Sequence, residues 1–389
     1  PGARKIILID ALDECDENGR NDLLRCIRDH FIELPPWLAL FLTTRPEVNI
    51  LKPLAKFCPV ALEADSDENM ADVTCYIRGH LKGRLPEAML DAGTAVLVEK
   101  SKGVFIYARY AVERLQPHVT VDELREFPDG ITDFYDEQFE RLLRADDISS
   151  ASAKWRIIEA VITACEPLHI DHLDALVGCT TIERKQAVAK LSLLFPIRGR
   201  RLHVFHKSVK DWLVDAQRKD EMCYVDVDKV HAAMGRKCQE LWPTMEYGLK
   251  HAVTHLCAGG LTKQARDLMF VFDWLLARAR LGPPHALVLD GNRVAREHQD
   301  RAFELLHSAL RLMQSGLATN PLQMAGQLVG RLMGYGDAAT KFHEAEIEAL
   351  LTTVRAWKGV DGRGWLCPLG QTYEPAGSPC RQTMVGHSR

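Results

Sequence analysis

The sequence predicts a multidomain, mainly α-helical protein that begins with a small, partial α/β unit. Three observations lead to this prediction. The chain has 389 residues, which is more than one ordinary domain. Two apolar runs, near residues 6–9 and 37–44, flank a helical segment close to the start. From about residue 84 onward, apolar residues recur mainly at three- and four-residue spacing, as in amphipathic helices. Strands that alternate with a helix predict a parallel sheet, and the later pattern predicts helical domains.

The first strand is predicted in the segment KIILIDALDE, residues 5–14. Its continuous apolar run from Ile6 to Ile9 is typical of a parallel strand covered on both faces, and it ends in Asp10. A helix and two further strands, the last of them weak, are predicted over residues 21–34, 37–44 and 60–62.

Changes of pattern divide the rest of the chain. Residues 135–222 contain helical stretches followed by two short strands around the turn Arg198-Gly199-Arg200, an order that predicts a winged helix. Gly103 interrupts the helical pattern before it, and Gly-Pro-Pro at 282–284 and GYGD at 334–337 break the pattern after it. The predicted segments are an α/β unit, a first helical domain, a winged helix, a second helical domain, and a linker with a strand, over 1–83, 84–134, 135–222, 223–357 and 358–389.

Composition excludes some classes of protein. The chain is 47% apolar and 26% charged, as in ordinary globular proteins, and no apolar run approaches the roughly 20 residues of a membrane span. A net charge of −4 gives no general reason to expect nucleic acid or an anionic membrane as partner. The 11 cysteines are scattered, without a C-x-x-C pair, which favours thiols in a reducing compartment and a cytoplasmic location.

Acidic and basic side chains follow the two predicted strands. Asp10, Asp13 and Glu14 follow the first strand, and the second ends in Thr43-Thr44-Arg45. Ligands bind at the carboxyl ends of parallel strands, so these groups are candidates for one site. Carboxylates suit a hard cation such as Mg²⁺, and an arginine can neutralise charge on a phosphate. The alternative is that acids collect at strand ends because loops are solvated.

The pair of segments IILIDALDE and LFLTTRPE resembles the Walker B and first sensor motifs of NACHT-type STAND NTPases. The resemblance implies the C-terminal half of a P-loop NTPase core over residues 1–83, with ATP or ADP and Mg²⁺ as ligands. It implies that Asp10 holds Mg²⁺ through water and that Asp13 and Glu14 lie near the terminal phosphate. It makes Arg45 the sensor of that phosphate, with Thr44 beside the same nucleotide.

The segment FHKSVKDWL resembles the winged-helix motif whose histidine reaches the bound diphosphate in resting members of the family. Carried over, this histidine is His206. The alternative is a histidine satisfied within the core or the hairpin. A histidine near a phosphate is chemically sensible in either protonation state.

The C-terminal part resembles the connector of NTPase–WD-repeat proteins, in which a helical domain leads into a β-propeller. The resemblance rests on YGLKHAVTHL at 247–256, on the helical segments that follow it, and on RQTMVGHSR at the end, where Gly386 and His387 match the start of a WD repeat. It implies that this chain contains the start of a propeller, and that protein partners bind the rest of it.

The sequence contains no G-x-x-x-x-G-K-[ST] phosphate loop. In the family this loop precedes the Walker B strand, so we expect the chain to be a fragment. A strand near 58–64 would then lack its neighbour and present a bare edge. We expect that the chain as given neither binds ATP tightly nor hydrolyses it.

The resemblance implies a nucleotide-dependent signalling switch that is closed with ADP, opens with ATP and forms homo-oligomers on activation. The parent protein would be a slow ATPase at most. Two alternatives stay open. A winged helix with RGRR in its wing could bind nucleic acid, although the chain is net acidic. The protein could also be a protein-interaction scaffold whose NTPase no longer works.

Overall fold

The computed structural model describes residues 5–15, 21–31, 34–35, 37–45, 47–144, 152–192, 194–221, 223–337, 342–362 and 364–377. Helices dominate these residues, and two small sheets accompany them. The prediction of a mainly α-helical protein is therefore confirmed. The chain divides into two compact units, Pro1–Asp136 and Glu137–Arg389.

The first unit begins with two parallel strands. They are β1 (Lys5–Ile9) and β2 (Leu38–Leu42), and the register pairs Lys5 with Leu38 and Ile9 with Leu42. Both predicted strands are thus confirmed, within two residues at each end. Because the strands are parallel and in register, their carboxyl ends meet at one edge of the sheet.

Two helices cover one face of this sheet. They are α1 (Asp22–His30), for which Asn21 is the N-cap, and α2 (Val48–Leu54). Alternation along the strands turns every second side chain toward them. The apolar core between sheet and helices consists of Leu12, Leu24, Ile27, Ile50 and Leu54, with Ile9, Phe31, Leu40 and Leu42 packed against it.

The opposite face of the sheet is exposed in the described residues. The side chains of Ile6, Leu8 and Phe41 are 69%, 68% and 59% exposed. The prediction that the first strand is covered on both faces is therefore wrong here, because α1 and α2 pack on the same side.

The predicted strand at 60–62 is also wrong. Residues 58–63 form neither strand nor helix, and Val60 and Leu62 are 87% and 95% exposed. A strand is stable only when its backbone groups pair with a neighbour, and no described strand lies beside this segment. The bare edge expected near 58–64 is accordingly an unpaired coil.

The rest of the first unit is helical. Gly103 lies at the predicted interruption, between the helix that ends at Ser101 and the helix that begins at Phe105. The helices are α3 (Asp67–Leu81), α4 (Leu90–Ser101), α5 (Phe105–Glu113), α6 (Val121–Arg125) and α7 (Gly130–Arg144). The division between the units falls inside α7.

The second unit starts with helices around a small antiparallel sheet. Its strand order is β3-β5-β4, and the predicted hairpin joins β4 to β5. Gly199 and Arg200 both have positive φ, 53° and 62°, as a tight two-residue hairpin turn requires. The elements are α8 (Ala153–Thr163), β3 (Leu168–His169), α9 (Leu173–Val177), α10 (Thr181–Leu191), β4 (Ile197–Arg198), β5 (Arg201–Leu202) and α11 (Lys207–Leu213).

In the described residues nine α-helices follow, and the predicted breaks at Gly-Pro-Pro and GYGD fall between helices. The helices are α12 (Val227–Leu241), α13 (Glu246–Ala258), α14 (Thr262–Met269), α15 (Phe272–Leu281), α16 (His285–Val294), α17 (Arg301–Leu312), α18 (Gln314–Thr319), α19 (Met324–Leu332) and α20 (Ala345–Ala356). None of the helices in the described residues is long and apolar enough to cross a membrane.

An irregular segment, residues 364–377, lies against α17 and α19. Arg331 donates a hydrogen bond to the Glu374 carbonyl (2.8 Å), and the Gly377 amide donates to Ser308 Oγ (2.9 Å). The predicted start of a propeller, with Gly386 and His387, lies outside the described residues.

Candidate functional site

The candidate site lies at the edge of the first sheet where β1 and β2 both end. The Thr43 amide donates to the Ile9 carbonyl (2.9 Å), which extends the pairing by one residue. Beyond it, Thr43 Oγ1 donates a hydrogen bond to Asp10 Oδ1 (2.5 Å). The carboxylate that ends the first strand is thus held by a hydroxyl from the second.

The backbone turns sharply after Asp10. Ala11 has a φ of +53°, a left-handed conformation that costs a residue with a Cβ about 1 kcal/mol or more. Its amide donates to Thr43 Oγ1 (2.9 Å), and the next amide, of Leu12, donates to the Thr43 carbonyl (2.9 Å). These bonds offset the strain and bring the turn Leu12–Cys15 over the end of β2.

This turn brings the second acid to the predicted arginine. The Asp13 side chain is only 3% exposed, and its Oδ1 accepts a hydrogen bond from the Arg45 backbone amide (3.1 Å). Its Oδ2 lies 3.6 Å from Arg45 Nε, on a side chain that is 36% exposed. Asp10, Asp13 and Arg45 therefore lie at the same edge of the sheet, where β1 and β2 end.

The other predicted residues of this rim are placed differently. The Thr44 hydroxyl makes a long contact with the Arg45 carbonyl (3.3 Å), so its bond stays within its own segment and does not reach Asp10. The backbone of Glu14 lies in the turn Leu12–Cys15. Thr43, the neighbour of Thr44, is the threonine that contacts Asp10.

His206 belongs to the second unit, where it is the N-cap of α11. Its Nδ1 accepts a hydrogen bond from the Ser208 amide (3.2 Å) and lies 2.6 Å from Ser208 Oγ. A ring whose Nδ1 accepts this bond carries its proton on Nε2 when neutral. His206 is exposed, so it is not a core histidine.

The carboxylates of this edge could supply only some of the ligands that Mg²⁺ needs. Asp10 is exposed and oriented by Thr43, whereas Asp13 is engaged with Arg45. Within the residues that the structure describes, no group of three or more His, Cys, Asp or Glu is arranged to hold a metal ion. A single oriented carboxylate suits Mg²⁺ that keeps several waters and takes its other ligands from a phosphate. Asp10 is the residue that would hold it.

The sequence placed Thr43 among the candidate groups of this edge but did not distinguish it from Thr44. One residue of the site was not predicted as part of it: Asn21, whose side-chain amide donates to the Leu12 carbonyl (2.7 Å) while its Oδ1 caps α1. Asn21 thereby ties the acidic turn to the helix beneath it. The signal was present, because an asparagine directly before a helical pattern is a typical N-cap.

Comparisons with known proteins add no assignment. No protein-family model matches the chain, and no curated protein matches it either.

Proposed function

We propose that the chain is the switch-bearing part of a NACHT-type NTPase with C-terminal WD repeats. In this proposal the parent protein is closed with ADP, opens with ATP, forms homo-oligomers in the cytoplasm, and binds protein partners through its propeller. ATP hydrolysis would be slow and would reset the switch. The chain itself, which contains no phosphate loop in its sequence, would be inactive.

One observation carries the proposal: two acids after one strand contact two residues after its parallel neighbour. Asp10 is bonded to Thr43, and Asp13 to Arg45, at the carboxyl edge of the sheet. This edge is where α/β sheets bind ligands. The resemblance of both segments to Walker B and sensor motifs gives the ligand as a nucleotide with Mg²⁺.

At this edge each of the predicted residues would have its own role in binding the nucleotide. Asp10 would hold Mg²⁺ through water, and Asp13, with Glu14, would stand near the terminal phosphate. Arg45 has a cationic side chain already beside Asp13, so a phosphate would compete with that carboxylate for the guanidinium. Such competition makes the position of Arg45 depend on the nucleotide, as a switch requires.

The order of elements from α8 to β5 supports a winged-helix domain in the second unit. Three helices and a three-stranded antiparallel sheet with a tight hairpin occur in the expected order. His206 follows this sheet. If its neutral ring meets a diphosphate, it would donate from Nε2–H, because Nδ1 accepts from the Ser208 amide.

Binding of nucleic acid by this domain is disfavoured by its ion pairs. Arg200 is paired with Asp171 (2.7 Å), and Arg184 is paired with Asp171 and Asp174 (3.2 and 2.9 Å). Cations already held by neighbouring carboxylates gain little from a phosphate backbone. A scaffold without NTPase activity is the remaining alternative, and the presence of Asp10, Asp13 and Arg45 argues against it.

The test begins with the coding sequence upstream of Pro1 and with the protein expressed from the longer reading frame. The proposal expects a Gly-Lys-Ser/Thr loop there, and expects purified protein to release ADP or ATP on denaturation. Asp10→Asn should abolish the Mg²⁺ dependence of ATP binding, and Arg45→Gln should weaken ATP more than ADP. An upstream sequence without such a loop, or purified protein without nucleotide, would favour the scaffold.

Matched controls come from exposed residues of the same unit. Asp122 and Arg125 form a pair on α6 whose side chains are 87% and 65% exposed. Asp122→Asn and Arg125→Gln should leave nucleotide binding unchanged. If they reduce it as much as the site variants do, charge alone explains the result and the proposed roles fail.

A further inference from the structure

A second polar cluster lies in the interior of the second unit, far along the chain from the candidate site. Tyr247, His251 and His255 are four residues apart on α13 and therefore share one face of that helix. They belong to the segment YGLKHAVTHL, for which the proposed function gives no chemical role. His255 is fully buried, and His231 on α12 lies against it.

The hydrogen bonds of this cluster form one directed chain. The Cys165 amide donates to Tyr247 Oη (3.2 Å), and Tyr247 Oη lies 2.8 Å from His255 Nε2. Burial raises the pKa of the Tyr247 phenol, so the phenol keeps its proton and donates it to His255. His255 then carries its own proton on Nδ1.

This series of hydrogen bonds ends at two histidines, whose Nδ1 atoms share one hydrogen. His255 Nδ1 lies 2.8 Å from His231 Nδ1. At this distance one nitrogen must donate and the other accept. The Tyr247 bond fixes His255 as the donor, so His231 accepts and both rings are neutral. A second proton on the His231 ring would occupy Nδ1 and turn two N–H groups toward each other in a largely desolvated contact.

The backbones around the pair leave little room for relaxation. A Cβ on Gly235 of α12 would lie 2.9 Å from the Leu256 amide nitrogen, and a Cβ on Gly259 would lie 2.3 Å from that of Ala232. Glycine at both positions lets α12 and α13 pack at close range. Repulsion between the two rings therefore acts on the helix pair itself.

We propose that the His231–His255 pair is a proton-sensitive joint that fastens α13 to α12 and to the segment after α8, and that loosens when the pair takes up a second proton. The proposal does not depend on nucleotide binding. Its state at neutral pH is the closed one seen here, with Cys165 held by Tyr247.

The charges around the joint come from five elements. Lys210 of α11 disfavours a second proton on His231, and Asp228 of α12 favours it. His251 has Glu166 as its favourable neighbour, with Lys250 and Arg278 opposing. Desolvation is the largest cause for all three rings, and it lowers the pKa of His231 and His251 to about 4 and that of His255 to about 3. Two thiols also face the cluster: that of Cys165, 3.7 Å from His255 Nε2, and that of buried Cys238 on α12, which acts on Tyr247.

Hydrogen exchange by mass spectrometry on the 389-residue chain tests the joint. Rates at pH 7 and pH 5 are corrected for intrinsic exchange. Peptides covering 227–258 should then exchange on the order of tenfold faster at pH 5. Peptides of α20, on the same unit, should change much less. Equal responses in α12–α13 and α20 would overturn the proposal.

Two variants distinguish the effect of the His231–His255 pair from the effect of any desolvated histidine. His231→Asn keeps an acceptor near the position of Nδ1 but does not titrate, so the pH response of 227–258 should fall measurably, and the share due to His251 and His255 should remain. His307 on α17 is a partly buried histidine whose pKa is also lowered by desolvation, and His307→Asn should leave that response intact. A response that survives His231→Asn unchanged would refute the joint.

A measurement on the unaltered protein guards against a variant that does not fold. Exchange of the imidazole C2 hydrogens reports the pKa of each histidine by mass spectrometry. His231 and His255 should titrate well below the ordinary range of about 6–7. If either titrates within that range while the chain stays folded, the pair accepts a second proton without opening, and the proposal fails.

Discussion

Thr43 Oγ1 bonds to Asp10 Oδ1, although 33 positions separate the two residues in the sequence. The same hydroxyl accepts from the Ala11 amide, so one side chain fixes both the carboxylate and the left-handed turn after it. The contact exists because β1 and β2 are parallel and in register up to Ile9 and Leu42. Thr43 is thus the positioning residue of the candidate site.

Replacing Thr43 by valine should destabilise this edge. Thr43→Val keeps the shape but removes the donor to Asp10 and the acceptor for Ala11. A hydrogen bond contributes about 1 kcal/mol, so with an exposed partner we expect a loss of about 1–2 kcal/mol in local stability. Hydrogen exchange of residues 21–31, in α1 beneath the turn, measures it.

Thr44→Val is the matched control. Among the described residues, the Thr44 hydroxyl makes one hydrogen bond, the long contact with the Arg45 carbonyl, so its removal should change the stability measured at the same peptides by less than about 0.5 kcal/mol. If the two variants lose equal stability, the Thr43 bonds do not hold the turn.

A second prediction concerns which partner of the Asp13–Arg45 contact contributes more to the stability of this edge. Asp13→Ala removes a buried acceptor of the Arg45 amide as well as the ion pair, whereas Arg45→Ala removes the ion pair and leaves the bond from the backbone amide of residue 45 to Asp13 in place. We expect about 2 kcal/mol for Asp13→Ala and under about 1 kcal/mol for Arg45→Ala, because a partly exposed guanidinium is screened by solvent. Exchange of residues 21–31 again reports the loss, and the reverse order would contradict the geometry.

The sequence predicts the location of the site better than its contacts. Apolar runs that end in Asp10 and in Thr43-Thr44-Arg45 are sufficient to place acids and arginine on one rim, since parallel strands share their carboxyl edge. Which threonine meets Asp10 depends on register. A shift of one residue exchanges the two faces of a strand, and local sequence does not encode it.

Elements that depend on distant partners were the ones missed or mistaken. Residues 60–62 were predicted as a strand because they are a short apolar run, yet no described strand pairs with them. β3 has only two residues and exists through its pairing with β5. The spacing of Tyr247, His251 and His255 does predict one helix face, but the meeting of that face with His231 is a tertiary contact.

The buried histidines predict a pH dependence of the second unit. In the folded state the pKa values of His231, His251 and His255 lie at about 4, 4 and 3, because burial disfavours the charged ring. In the unfolded state each ring binds a proton near its ordinary pKa of about 6.5. The unfolded state therefore binds more protons below pH 6.5, and folding loses stability as the pH falls from about 6.5 toward 4.

Urea unfolding of the second unit, followed by exchange of its core peptides, measures this loss. At pH 5 each ring should cost about 1–2 kcal/mol relative to pH 7.5. His251→Gln should recover part of that difference, since it removes one titrating ring. Stability that is equal at pH 5 and pH 7.5 would show that these rings are not neutral in the folded protein.

Arg266 gives the last prediction. Its side chain is 9% exposed and joins three helices: it donates to both carboxylate oxygens of Asp300, the N-cap of α17, and to both of Glu346 on α20. Arg266→Lys keeps the charge but cannot donate to two carboxylates in this forked geometry, so we expect a loss of about 2 kcal/mol. Arg280→Lys, at an exposed position on α15, should cost less than about 0.5 kcal/mol.

Both losses can be read from urea unfolding at pH 7, because the pKa values of Asp300 and Glu346 are lowered by Arg266 and both stay ionised there. A tolerated lysine at position 266 would mean that charge, not the forked geometry, holds α14, α17 and α20 together.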